Sequence, residues 1–70
     1  MLESVRLSKD NIKQFGTKNA STILSLIKEQ EEGVDMLTYI QTTSKGRTLN
    51  VYRYDKSKWK YILNNKYKID

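Results

Sequence analysis

The sequence predicts a single small α+β domain, and three observations carry that expectation. Apolar residues run at helical spacing through residues 20–27, a strand-like composition takes over after Gly33, and a chain of 70 residues can fill only one thin core. Ile, Leu, Val and Phe supply about a quarter of the positions, just above the composition of disordered chains. The fold is therefore expected to be marginal, with room for help from a partner.

Leu2 to Leu7 alternates loosely, as a short strand or an extended arm would. Ser8 is placed to cap a short helix, with Asp10 beside its positive end. Ile12 and Phe15 lie three apart on one face of that helix, and Gly16 ends it. Thr17 or Asn19 then caps a second helix in which Ala20, Ile23, Leu24 and Ile27 form the buried stripe, widened by Leu26, and Gly33 is the stop. A linker this short sets the two helices at a steep angle.

After Gly33 the period changes. Residues 36–43 and 48–54 are rich in β-branched and aromatic residues, and Ser44-Lys45-Gly46-Arg47 between them reads as a tight turn. With Lys45 and Gly46 as the loop, Ile40 lies opposite Val51 and Thr42 opposite Leu49, while Leu37, Tyr39, Tyr52 and Tyr54 share the other face. Both faces are partly apolar, so either one suits the core. Asp55 or Ser57 caps a last helix in which Trp59, Ile62 and Leu63 cluster, and residues 66–70 form a loose tail.

The order is arm, helix, turn, helix, hairpin and helix, within one domain over residues 1–70. It is the order of a small winged helix-turn-helix with a β-hairpin wing and a C-terminal helix. Within that class the chain resembles the small excisionase and MerR-like domains of phages and mobile elements. Leu7 to Gly16 is similar to the family's opening helix, and Thr17 to Glu29 to its turn and recognition helix. Arg47 to Tyr54 is similar to the returning wing strand, and Asp55 to Leu63 to the capped closing helix. The resemblance implies duplex DNA as partner, with the second helix in the major groove and the hairpin on the backbone or in the minor groove. It also implies a role as an excisionase-like architectural factor or a small transcriptional repressor, helped by homodimers or cooperative neighbours on DNA.

Charge agrees with a polyanionic partner. The chain has a net charge of +5, and the basic excess lies in its C-terminal part: Lys45, Arg47, Arg53, Lys56, Lys58, Lys60, Lys66 and Lys68 against Asp55 and Asp70. Tyr52, Tyr54, Trp59, Tyr61 and Tyr67 are interleaved with them. Such a segment neutralises phosphates and releases counterions, although a lysine-rich surface also keeps a small protein soluble.

On the second helix, Lys18, Asn19, Ser21, Thr22, Ser25 and Lys28 are the candidate DNA contacts, since N-terminal residues of a groove-bound helix reach base edges. Asn19 serves equally well as a helix cap. Lys45 and Arg47 flank the hairpin tip, where a wing meets phosphates, although charged residues also guard exposed tips against aggregation. Trp59 is expected in the core. The tyrosines suit either packing or base stacking on a single strand.

An enzyme is not expected. Without His or Cys, the commonest general base and the thiolate nucleophile are missing, and so are the usual zinc ligands. No metal, cofactor or small-molecule substrate is called for. A cytoplasmic location without membrane contact is expected, because no leader or spanning stretch is visible. The competing reading is a protein-interaction module, a phage-type inhibitor of a host protein that uses the hairpin edge instead of DNA.

Overall fold

A computed structural model describes residues 1–69. Its strands are β1 (Leu2–Ser4), β2 (Met36–Thr43), β3 (Gly46–Asp55) and β4 (Lys60–Ile69), paired antiparallel in the order β1-β2-β3-β4. Between β1 and β2 the chain forms 3-10 turns at Lys9–Phe15 and Thr17–Asn19, then the 12-residue helix α1 (Ala20–Glu31). This is an α+β meander with one helix on one face, not a winged helix-turn-helix. The expected opening helix is a 3-10 stretch, and the expected closing helix is a strand.

The 3-10 stretch follows from the spacing of its apolar residues. With three residues per turn, Ile12 and Phe15 eclipse one another on one side, and Phe15 is completely buried. Ser8 anchors the stretch, but by its backbone N–H, which donates to Asn11 Oδ1 at 2.9 Å. Gly16 ends it at φ 83°, a conformation that favours glycine.

In α1 the buried face is Ile23, Leu26 and Ile27, each worth roughly 2 kcal/mol of apolar burial. Leu24, expected in that stripe, is instead 45% exposed. The helix packs on a sheet through one narrow ridge, which leaves no second apolar layer for Leu24 to meet. As expected, Gly33 stops the helix. Its N–H donates to Gln30 O, and that of Val34 to Glu29 O, closing the last turn with a left-handed residue. Arg53 clamps this end to the sheet by a two-pronged ion pair with Glu29 (2.8 and 2.9 Å), and it also donates to Asn64 and Asn65.

The hairpin forms as expected, with a register two residues away from the one expected. Its loop is Ser44-Lys45, Thr43 pairs with Gly46, and Ile40 therefore lies opposite Leu49 and Thr42 opposite Arg47. A shift of two preserves the side-chain faces. Ile40, Leu49 and Val51 join Leu7, Phe15, Ile69 and the helix ridge in the core, while Leu37, Tyr39, Tyr52 and Tyr54 lie on the opposite face.

The segment after β3 departs furthest from expectation. Asp55 does cap, but it caps a turn: its Oδ1 accepts from the Ser57 N–H at 2.9 Å, the Ser57 hydroxyl at 2.6 Å and the Lys58 N–H at 3.3 Å. Trp59, at φ 55°, then reverses the chain into β4. A strand here satisfies the second edge of β3 and adds Ile69 to the core, with Tyr67 packed against it. A helix would be weakened by Asn64-Asn65, which instead accommodate a bulge opposite Val51 and Tyr52. Residues 66–69 continue β4, so the expected loose tail is not seen there, and Asp70 lies outside the described residues.

Among the described residues, no helix is long and apolar enough to cross a membrane, and no cluster of acidic residues has the grouping of a metal site.

Candidate functional site

The expected DNA contacts fall on α1, in the turn just before it and at the β2–β3 turn. Ser21, Ser25 and Lys28 are exposed on α1, Thr22 is half-buried, and the helix's solvent side continues into Glu31 and Glu32. Lys18 is exposed just before α1. Asn19 is committed internally: its Nδ2 donates to Phe15 O at 2.9 Å and to Lys68 O at 2.8 Å, tying the start of α1 to β4. Lys45 and Arg47 lie at the β2–β3 turn, at the end of the sheet to which the Asn19–Lys68 bond ties the start of α1, since Lys68 pairs with Thr48.

Lys45 and Arg47 do find company there. Cross-strand pairing sets Lys68 opposite Thr48 and Lys66 opposite Asn50. Lys45, Arg47, Lys66 and Lys68, with Thr43 and Thr48, line one open concavity that has no carboxylate among its lining residues that the structure describes. Four cations around one hollow attract an anion more strongly than the same charges dispersed, since their fields add within a Debye length.

The face of the sheet away from α1 carries no covering element among the described residues. Register places Tyr39 and Leu37 of β2 on it, with Tyr52 and Tyr54 of β3 and Tyr61 and Leu63 of β4. Two aromatic pairs form edge to face, Tyr39 with Tyr52 at 5.8 Å and Tyr54 with Tyr61 at 5.2 Å between ring centroids. The Tyr61 hydroxyl donates to Asp35 Oδ1 at 2.6 Å, and this bond to a carboxylate raises its pKa above the usual tyrosine value. The phenol therefore stays neutral, with its ring available as a stacking surface.

Between the aromatic rows and the basic end sits Asn50, on the same face yet only 2% exposed. Its Nδ2 donates to Gln41 Oε1 at 3.1 Å, and its Oδ1 has no partner. At the other end of the face, the β3–β4 turn holds Trp59 in the open, 83% exposed, rather than in the core where the helix reading places it. A left-handed φ at a bulky residue costs roughly 1 kcal/mol or more relative to glycine.

Asp55 organises that turn, and its three accepted hydrogen bonds, that from the Ser57 hydroxyl foremost, hold its carboxyl below the ordinary 3.8. A depressed folded-state pKa means that the turn is stabilised above pH 3.8 and loses this stabilisation as pH falls through the lower, folded value. Acidification below pH 3.8 is therefore expected to shift the emission of Trp59 before the sheet melts, as followed by fluorescence beside circular dichroism. Asp55→Asn should remove that early step.

Comparison of the chain with protein-family models, with curated proteins and with solved structures returned no match. The site therefore rests on its own geometry. Reading residues 66–70 as a loose tail hides Lys66 and Lys68, yet the alternation Lys66-Tyr67-Lys68-Ile69 carries the signal, with one face basic and the other apolar.

Proposed function

We propose that this chain is a non-enzymatic nucleic-acid-binding protein of the cytoplasm that lays a single strand across the open face of its sheet. Phosphates would sit at the basic end, on Lys45, Arg47, Lys66 and Lys68, and bases would stack on the tyrosines. The observation that carries the reading is the meeting of two features on one sheet: an anion-attracting hollow at its β2–β3 end, to which Lys66 and Lys68 contribute from the bare face, and a row of aromatic side chains on that same face. Cationic grooves combined with aromatic platforms bind single strands without needing a base sequence, because every base offers a stacking face. Duplex binding through α1 is less well supported, since its exposed side has Lys28 beside Glu31 and Glu32. Repulsion between those carboxylates and phosphate opposes groove insertion.

The test is fluorescence anisotropy of a labelled 12-nucleotide oligothymidylate and a 12-base-pair duplex over a range of salt. The single strand is expected to bind more tightly. If Lys66 and Lys68 each neutralise one phosphate, Lys66→Gln/Lys68→Gln should flatten the logarithmic salt slope by about 1.4, twice the single-strand value of 0.7 per contact. Equal slopes for wild type and variant would remove both lysines from the interface. A duplex preference abolished by Lys18→Gln/Lys28→Gln would move the site to the helix.

A further inference from the structure

The β3–β4 turn carries a feature that neither packing nor the basic hollow explains. Trp59 is the chain's single tryptophan and is 83% exposed, and it takes part in neither aromatic pair. It also occupies a left-handed position, φ 55°, where glycine or asparagine would sit with less strain. Exposing the largest apolar side chain and straining its backbone both disfavour the folded state, and no buried contact compensates them. A tryptophan at this position therefore points to something outside the chain.

Its surroundings identify the chemistry. Lys56, Lys58 and Lys60 are all exposed around it, and the one carboxylate of the turn, Asp55, is occupied by Ser57 and Lys58. Pairing of Tyr54 with Tyr61 and of Asp55 with Lys60 sets the tip directly beyond the outer aromatic pair of the open face. Resting on the single-strand reading above, we infer that Trp59 stacks on a base at the end of the strand's path while the flanking lysines hold the adjoining phosphates. β3, ten residues long, separates this tip from the basic hollow by about 33 Å at the usual strand rise. A stacked strand rises about 3.4 Å per nucleotide, so reaching both ends takes roughly ten nucleotides.

An anionic bilayer is the other surface that a tryptophan among lysines fits. The continuity of the tip with the tyrosine face favours nucleic acid, because a bilayer touching the tip alone makes no use of those rings.

The experiment titrates the full chain with oligothymidylate of 12 nucleotides, following anisotropy of a labelled strand and, separately, Trp59 emission with an unlabelled one. Trp59 emission is expected to be quenched in parallel with anisotropy, and a 4-nucleotide strand should bind without saturating the quench. Trp59→Gly should weaken binding about ten- to hundredfold, the loss typical of one stacked base, and Trp59→Phe should recover most of it. Neither variant should lower the melting temperature by more than about 2 °C, since the position is strained and exposed. Rising anisotropy with unchanged emission, and wild-type affinity in Trp59→Gly, would overturn the role of the tip and leave the open-face reading standing. Absence of any anisotropy change at 50 mM salt would overturn both. A blue shift with phosphatidylserine vesicles and none with the oligonucleotide would assign the tip to a membrane surface instead.

Discussion

Phe15→Ala is expected to abolish or nearly abolish cooperative folding at 25 °C. Phe15 has no solvent exposure and sits where the 3-10 stretch meets α1 and the sheet core. Truncating a buried phenylalanine costs about 3–5 kcal/mol, from lost transfer energy plus the cavity left behind. A chain of 70 residues is stable by only about 4–10 kcal/mol at the usual value per residue, so one such cavity removes much of the total. In a thermal melt followed by circular dichroism, the transition should fall by at least about 15 °C or disappear. Leu24→Ala is the control. Because Leu24 is 45% exposed, its truncation should shift the midpoint by only a few degrees, whereas a helix buried as the sequence suggests would lose as much from Leu24 as from Ile23. An effect of Phe15→Ala as small as that of Leu24→Ala would mean that Phe15 is not part of the packed core.

How much of this was legible depended on whether local and long-range signals agreed. At α1 they largely did: the helical spacing of Ala20, Ile23, Leu24 and Ile27, widened by Leu26, needs no partner to be read, although it places Leu24 in a stripe that the sheet leaves open, and Gly33 marks the end because of its own conformational freedom. The hairpin was legible as a face pattern, since Leu37, Tyr39, Tyr52 and Tyr54 alternate whatever the register. Its loop was not, because Gly46 fits either inside a two-residue turn or just after it. Residues 59–63 were misleading. Trp59, Ile62 and Leu63 match a helical face, and only the unpaired edge of β3, invisible in a linear pattern, makes a strand the better solution. The candidate site inherits that history: Lys45 and Arg47 were legible at the turn, whereas Lys66, Lys68, Asn50 and an exposed Trp59 become a surface only once β4 exists.

Asn50→Leu is expected to stabilise the protein. Asparagine is disfavoured in the middle of a strand, and this one is 2% exposed with an Oδ1 that no donor reaches. A buried polar atom without a partner costs about 1–3 kcal/mol, while an apolar side chain of similar size there adds burial. Gln41, its one side-chain partner, is half-exposed and can turn to water when the amide is removed. The net gain should be about 1–2 kcal/mol, raising the melting temperature by roughly 4–16 °C for a domain of this size. A fall instead would show that Oδ1 is satisfied by bound water. Asn50 lies opposite Tyr39 and Lys66, between the aromatic rows and the basic hollow. It and Trp59 both break local rules, one as a buried unpaired amide within β3 and the other as an exposed ring on a strained backbone at the β3–β4 turn. Locally unfavourable residues concentrate where function constrains the sequence. If the open face is that place, Asn50→Leu should gain stability and lose affinity for the 12-nucleotide strand together. A variant that gained stability with affinity intact would leave Asn50 outside the contact surface.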